Sequence, residues 1–230
     1  MKRIVVLSGA GMSAESGIST FRDAGGLWEG HDVMEVASPE GFARNPALVQ
    51  DFYNQRRRQL HEVKPNAGHS ALVELEKFFE VSIVTQNVDD LHERAGSSHV
   101  LHLHGELRKV RSTGPTAAVF PWKEDLTPDD RCPDGFPLRP HIVWFGEEVP
   151  LLGPAAHITA QADVLIIVGT SMQVYPAAGL VHYKQPGVPL YFVDPNPAVV
   201  PDQYDSLEII PEKAGAGLTT LAERLAYTRL

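Results

Sequence analysis

Residues Ile4–Asp23 read IVVLSGAGMSAESGISTFRD, and the rest of the chain is organised around them. Ile4-Val5-Val6-Leu7 is a short apolar, β-branched run of the kind that forms a strand buried on both faces. It ends at Ser8-Gly9-Ala10-Gly11, after which Met12-Ser13-Ala14-Glu15-Ser16 can open a helix. A strand that runs through small residues into a helix gathers backbone N–H groups and the positive helix end at one point, which is a phosphate-binding geometry. The glycines let the chain turn sharply and let a pyrophosphate approach the backbone. Gly9–Ala14 fits G-x-G-x-x-G/A, a pattern that a tight turn in any α/β protein also satisfies.

The continuation narrows the reading. A dehydrogenase-type unit supplies a second strand ending in an acid about 20 residues on, to hold the ribose. Here Gly17–Trp28 has no strand periodicity; it is long, Gly-rich and mixed polar and aromatic. Such loops inside a compact domain are usually lids or binding loops. Nucleotide binding therefore survives and ordinary hydride transfer weakens.

Composition sets bounds. A chain of 230 residues, 43% hydrophobic and 21% charged, suits one ordinary globular domain with a small insertion. A net charge of −9 argues against a general nucleic-acid or membrane-surface binder. Met1-Lys2-Arg3 leads into too few apolar residues for a signal peptide, and no apolar run approaches the ~18 residues of a membrane span. The one cysteine, Cys132, excludes internal disulfides. The expectation is a cytoplasmic, monomeric enzyme.

Strands and helices then alternate. Pro39–Asn45 and Pro46–Val63 read as helices opened by a proline, and Asn66 is placed to cap a third over Ala67–Phe79. Strands are expected at Val81–Val84, Val100–Leu103, Ile142–Phe145, Val164–Val168, Leu190–Val193 and Leu207–Ile210. Helices are expected at Leu151–Gln161, Pro176–Tyr183 and Gly217–Arg229. Residues 106–140 lose periodicity and read as an inserted loop or small module. The pattern is that of an α/β fold with a doubly wound, mainly parallel Rossmann-like sheet.

In such sheets ligands sit outside the carboxyl ends of the strands. Those ends are Gly9-Ala10-Gly11, Gln86-Asn87-Val88-Asp89, His104-Gly105, Gly169-Thr170-Ser171 and Asp194-Pro195-Asn196. With GAGMSAESGISTFRD, TQNVDDLHERAG, HLHGEL, VWFGE, GTS and DPN in this order and spacing, the chain resembles the sirtuins, NAD-dependent protein lysine deacylases. The resemblance covers nearly the whole chain. It implies one catalytic domain over residues 1–230, with a cofactor-loop and helical segment at 24–66 and the small module at 106–140.

The resemblance also implies roles. NAD would lie with its pyrophosphate on Gly9, Ala10 and Gly11, near Ser13. Phe21 and Arg22 would belong to the loop that closes over the nicotinamide ribose, and Ile18, Asp23, Asn87 and Asp89 to the nicotinamide pocket, with Val88 among the cofactor-binding residues. Gln86 would touch the ribose. Gly169, Thr170 and Ser171 would hold adenosine and phosphate, with Asn196 and Ala214 on the adenine side and Pro195 and Pro197 also cofactor-binding. His104 would be the general base. In the family the acyl-lysine carbonyl oxygen displaces nicotinamide from the ribose. The histidine then helps a ribose hydroxyl attack that adduct, giving free lysine and O-acyl-ADP-ribose. An imidazole suits proton transfer near neutral pH. Val143, Trp144, Phe145, Gly146 and Glu147 would line the cleft and pair with an acylated peptide as an added strand.

Simpler readings stand beside these. Alternation puts His102 and His104 on the same face, so only the HG motif separates them. Asn87 and Asp89 could cap the helix that starts near Leu91, and Gly169-Thr170-Ser171 could be only a turn.

Two departures from the family pattern matter. The family usually has two C-x-x-C pairs binding a structural zinc in the module; here Arg111–Pro115 replaces the first and Cys132–Gly135 keeps one thiol. No metal is expected. The module core is expected at Val119, Phe120, Trp122 and Phe136, with Cys132 a relic or surface thiol. Second, Tyr53 and Arg56 lie at i and i+3 on one helix face and resemble the pair marking the sirtuin branch that prefers succinyl and malonyl groups. Arg56 could grip the distal carboxylate, with Tyr53 adding a hydroxyl donor and Ala37 widening the channel. The competing reading puts Arg56 in a solvated Arg56-Arg57-Arg58 face. Acetyl would remain a second substrate. The alternatives are a mono-ADP-ribosyltransferase and a non-catalytic NAD or acyl-lysine binding module.

Overall fold

The computed structural model describes residues 1–19, 27–28, 30–200 and 202–228. Arg3–Ser8 is the central strand of a six-stranded sheet ordered Leu207–Ile210, Leu190–Val193, Val164–Val168, Arg3–Ser8, Glu80–Thr85, Val100–His102. Every neighbouring pair is parallel, with Ile4 opposite both Val81 and Val164. The alternation of the opening strand divides the core. Ile4 and Val6 pack beneath helices Ala67–Leu75 and Ala214–Thr228, through Leu72, Leu75, Leu218 and Leu221. Val5 and Leu7 face helix Leu152–Ala160 and the 3₁₀ helix Ala177–Tyr183, through Ala155, Leu180 and Val181. Ile4, Val5, Val6 and Leu7 are all buried, and each contributes about 2 kcal/mol of burial.

The strand order reverses between Arg3–Ser8 and Val164–Val168, so their carboxyl ends open a crevice there. The crevice is stitched by its own backbone: Gly9 N–H donates to Val168 O (3.0 Å) and Gly11 N–H to Gly169 O (2.8 Å).

Over this edge sits a second layer. Helices Val33–Val36, Pro39–Arg44 and Pro46–Glu62 start at Asp32, Ser38 and Asn45, whose side chains accept the Met34, Gly41 and Leu48 N–H groups. The long helix buries Val49, Phe52, Tyr53 and Leu60 against Leu107, Ile142 and Trp144. Its polar residues lock onto the inserted module. Asn54 exchanges hydrogen bonds with the Leu126 backbone (2.9 and 2.8 Å), and Arg57 Nε donates to Leu107 O (2.9 Å).

Residues 105–142 form a three-stranded antiparallel sheet, Val119–Pro121, Gly105–Ser112, Leu138–Ile142. Its register shifts between Gly105 and Val110, and that irregularity blurs the period-2 signal in the sequence. The expected module core is corrected. Val110, Leu126, Cys132 and Leu138 form it, Phe120 and Trp122 pack against it, and Val119 and Phe136 are exposed. Cys132 is buried rather than on the surface, with Sγ 3.3 Å from Ser112 Oγ. Two further boundaries move. The strand expected at Ile142–Phe145 ends at Ile142, and the last helix begins at Ala214, because Glu15 Oε2 accepts the Gly215 N–H (2.7 Å).

Candidate functional site

The loop after the first strand is shaped by close backbone approach. Gly169 holds φ +61°, and a Cβ there would lie 2.3 Å from Met12 N and 2.5 Å from Gly11 C. Gly169→Ala is expected to cost about 3 kcal/mol of stability and to weaken NAD binding, read as a lowered Tm and a raised KM for NAD. Asn66 braces the loop from below. Its Oδ1 caps helix Ala67–Leu75, as the sequence indicates, and its Nδ2 donates to Met12 O (2.8 Å).

Behind the loop lies a buried polar chain. Asn87 Nδ2 donates to Ser13 Oγ (3.2 Å), Ser13 Oγ donates to Asp89 Oδ2 (2.8 Å), and Asp89 Oδ1 accepts the Leu91 N–H (3.0 Å). Asp89 thus caps the next helix and also joins the site. Burial raises its carboxyl pKa, against the pull of Leu91 N–H and Ser13. Gln86 is a hub: its N–H donates to Ser8 O (2.9 Å), its Nε2 donates to Thr170 Oγ1 (3.3 Å), and its carbonyl accepts from His104 Nδ1 (3.1 Å).

Geometry separates the two histidines that strand alternation could not. A carbonyl only accepts, so His104 Nδ1 carries hydrogen and donates to Gln86 O. Among the described residues Nε2 has no partner, so it is left as the lone-pair nitrogen. Burial lowers the His104 pKa more than the Gln86 bond raises it, and the ring is neutral at neutral pH. His102 donates from Nδ1 to Asn87 O (3.1 Å) and from Nε2 to the Glu93 carboxylate (2.7 Å). Burial lowers its pKa, but Glu93 reverses the balance and raises it, and both ring nitrogens are taken up inside the fold. If His104 is the base, activity is lost as pH falls through its pKa, and that limb lies below pH 6.5, with a plateau across neutral pH. A pH profile of kcat/KM checks this.

The other assigned residues are spread more widely. Ile18, Val88 and Asp89 line one pocket together with Trp28 and Arg56. Ser171 is half-buried beside Thr170, while Pro195 and Asn196 are exposed, Pro197 is half-buried and Ala214 is packed in the core. Phe21, Arg22 and Asp23 lie outside the described residues.

The three consecutive arginines diverge. Arg57 is buried with its pKa lowered to about 10 by desolvation, Arg58 is exposed, and Arg56 is half-buried with its guanidinium carbon 3.3 Å from the Phe52 ring centre. Tyr53 is fully buried and accepts the Trp144 indole N–H (3.0 Å).

Residues 143–147 form a bonded turn rather than an open strand. Val143 N–H donates to His104 O (2.9 Å), Phe145 N–H to Ala37 O (2.9 Å), and Trp144 N–H to Glu147 Oε2 (2.8 Å). Ala37 itself is buried, and Gly146 holds φ +89°. Glu147 is engaged by Arg139 (2.6 Å) and Arg111 (2.9 Å), a role the sequence did not signal because both arginines lie in the aperiodic module. Burial pushes its carboxyl up, but Arg139, the Trp144 N–H and Arg111 outweigh it and hold the pKa below the usual value.

A structural zinc does not fit here. Cys132 is the one thiol and is packed among Val110, Leu126 and Leu138. Among the described residues no three His, Cys, Asp or Glu side chains converge as a metal site.

A parallel sheet in this order with a glycine-lined crevice at its switch point is the frame of a nucleotide-binding α/β protein, and His104 follows the edge strand with its Nδ1 on Gln86 O. A scan against family models matches the Sir2 family over residues 9–176, and the chain belongs to that family. A NAD-dependent protein deacylase from Helicobacter pylori is 63% identical over 196 residues, 85% of this chain and 84% of that one. One from Bacteroides thetaiotaomicron is 53% identical, covering 98% of both chains. Among solved structures, a Sir2 homologue mutant–ADP ribose complex is 40% identical with a TM-score of 0.89, covering 99% of this chain and 93% of that one. A Sir2 homolog–NAD complex is 39% identical with a TM-score of 0.87, covering 100% and 91%.

Proposed function

We propose that this chain is an NAD-dependent protein lysine deacylase that prefers acidic acyl groups such as succinyl and malonyl and accepts acetyl as a second substrate. The observation that carries the acyl preference is the pocket that brings Arg56 together with Ile18, Val88 and Asp89. The cation assigned to the acyl carboxylate and the residues assigned to nicotinamide share one cavity.

NAD, when bound, supplies a ribose carbon whose bond to nicotinamide breaks. Gly9, Ala10 and Gly11 would hold its pyrophosphate, Gln86 its ribose, Asn87 and Asp89 the nicotinamide amide, and Gly169–Ser171 the adenosine side. His104 Nε2 takes a proton from a ribose hydroxyl, with Nδ1–H anchored on Gln86 O so that the lone pair keeps its direction. Arg56 pairs with the distal carboxylate, a charge-assisted contact that an acetyl group cannot make. Carbonyls of residues 143–147, rather than most of their N–H groups, would meet the peptide, since those N–H groups are internally bonded. The whole chain, residues 1–230, is assigned to this one catalytic unit, acting as a cytoplasmic monomer. No helix among the described residues is long and apolar enough to cross a membrane, and the net charge of −9 fits no nucleic-acid partner.

The test is nicotinamide release from NAD with succinyl-lysine and acetyl-lysine forms of one peptide. The expected kcat/KM ratio favours succinyl by roughly tenfold or more. A ratio favouring acetyl overturns the acyl preference, and turnover of neither overturns the enzyme reading.

A further inference from the structure

Tyr53 is fully buried, yet its hydroxyl is only half used. A phenol has one hydrogen to donate and lone pairs to accept with. The Trp144 indole N–H, a donor only, fills one lone pair at 3.0 Å. Among the described residues nothing accepts the hydroxyl hydrogen, and a buried donor left in that state costs free energy. Burial, more than the opposing Trp144 bond, raises the Tyr53 pKa, so the hydrogen stays in place at neutral pH.

Trp144 itself is held on every side. The Arg139 guanidinium lies 3.3 Å from its ring centre, Phe42 packs at 5.3 Å and Tyr53 stacks at 6.4 Å. Its backbone N–H is fixed by Glu147, which Arg139 and Arg111 hold in turn. The indole N–H therefore has a set direction. On the far side, Trp28 packs edge-on against Tyr53 at 6.0 Å and lies 5.4 Å from the Arg56 guanidinium carbon. Trp28 also lines the pocket that holds Arg56, so this one indole stands between that pocket and the buried phenol, and contact with the phenol requires the ring to shift.

We propose that Trp144 is a specificity-determining positioning residue. By occupying the Tyr53 lone pair it turns the hydroxyl hydrogen toward the carboxylate end of an acidic acyl group, beside Arg56. This rests on the acidic-acyl reading above. A phenylalanine at 144 would fill most of the same space without orienting the hydroxyl.

The test is the ratio of kcat/KM for succinyl-lysine over acetyl-lysine in wild type, Trp144→Phe, Tyr53→Phe, the double variant and Arg56→Met. Trp144→Phe should lower the ratio about tenfold, through KM for the succinyl peptide rather than kcat. Tyr53→Phe should lower it at least as far, and the double variant should lose no more than Tyr53→Phe alone, since both act through one hydroxyl. A Trp144→Phe variant that slows both substrates equally, or that lowers the ratio independently of Tyr53, overturns the proposal. If Arg56→Met lowers the ratio and Trp144→Phe does not, this inference alone falls. If Arg56→Met leaves the ratio unchanged, the acidic-acyl reading falls with it.

Discussion

His104→Asn is expected to lower kcat for every acyl-lysine peptide by roughly 10²–10⁴-fold while NAD binding changes only a few-fold. The substitution is chosen on geometry. An asparagine amide can keep the donor that His104 Nδ1 gives to Gln86 O, and it lacks the lone pair that Nε2 offers. It therefore removes the proton acceptor and preserves the link to Gln86, which is itself bonded to Ser8 O and Thr170. Succinyl and acetyl substrates should suffer equally, because the proton moves on the ribose side of both. Steady-state kinetics together with calorimetric titration of NAD checks both halves. His102→Asn would behave differently: it breaks a contact to Glu93 inside the fold and should lower Tm before it touches chemistry.

Arg56→Met is expected to lower kcat/KM for succinyl-lysine by about a hundredfold relative to acetyl-lysine. Methionine keeps an unbranched stem and removes the guanidinium, with both its charge and its contact over the Phe52 ring. What is lost is the partner of a desolvated carboxylate, and leaving such a group unpaired costs more than the contact is worth in water. The acetyl group presents no charge at that position, so its reaction serves as the internal reference. A ratio unchanged from wild type would place Arg56 among the groups that only pack the helical layer.

The sheet and the Gly-containing turn after its first strand were legible because their signals are local. Ile4–Leu7 is apolar on both faces, and the strand ends carry the polar groups in chain order. What was not legible depends on partners distant in sequence. The start of the last helix is set by Glu15, 200 residues from Gly215. The module sheet hides behind a register shift, and Cys132 reads as an isolated thiol until Leu126 and Leu138 close around it. The run Arg56-Arg57-Arg58 looks uniformly solvated on paper. Only the fold shows Arg57 reaching Leu107 O and Arg56 lying over Phe52. The segment VWFGE reads as a continuation of the strand, but the strand ends at Ile142 and the segment turns beside His104. Glu147 and Ala37 take up the N–H groups that an added strand would have used.

The most direct measurement is a mass-spectrometric inventory of products from the wild-type protein, NAD and a succinyl-lysine peptide. Equimolar nicotinamide, unmodified lysine peptide and O-succinyl-ADP-ribose are expected. A succinyl peptide left intact, or ADP-ribose transferred to protein in place of the acyl product, would contradict that expectation.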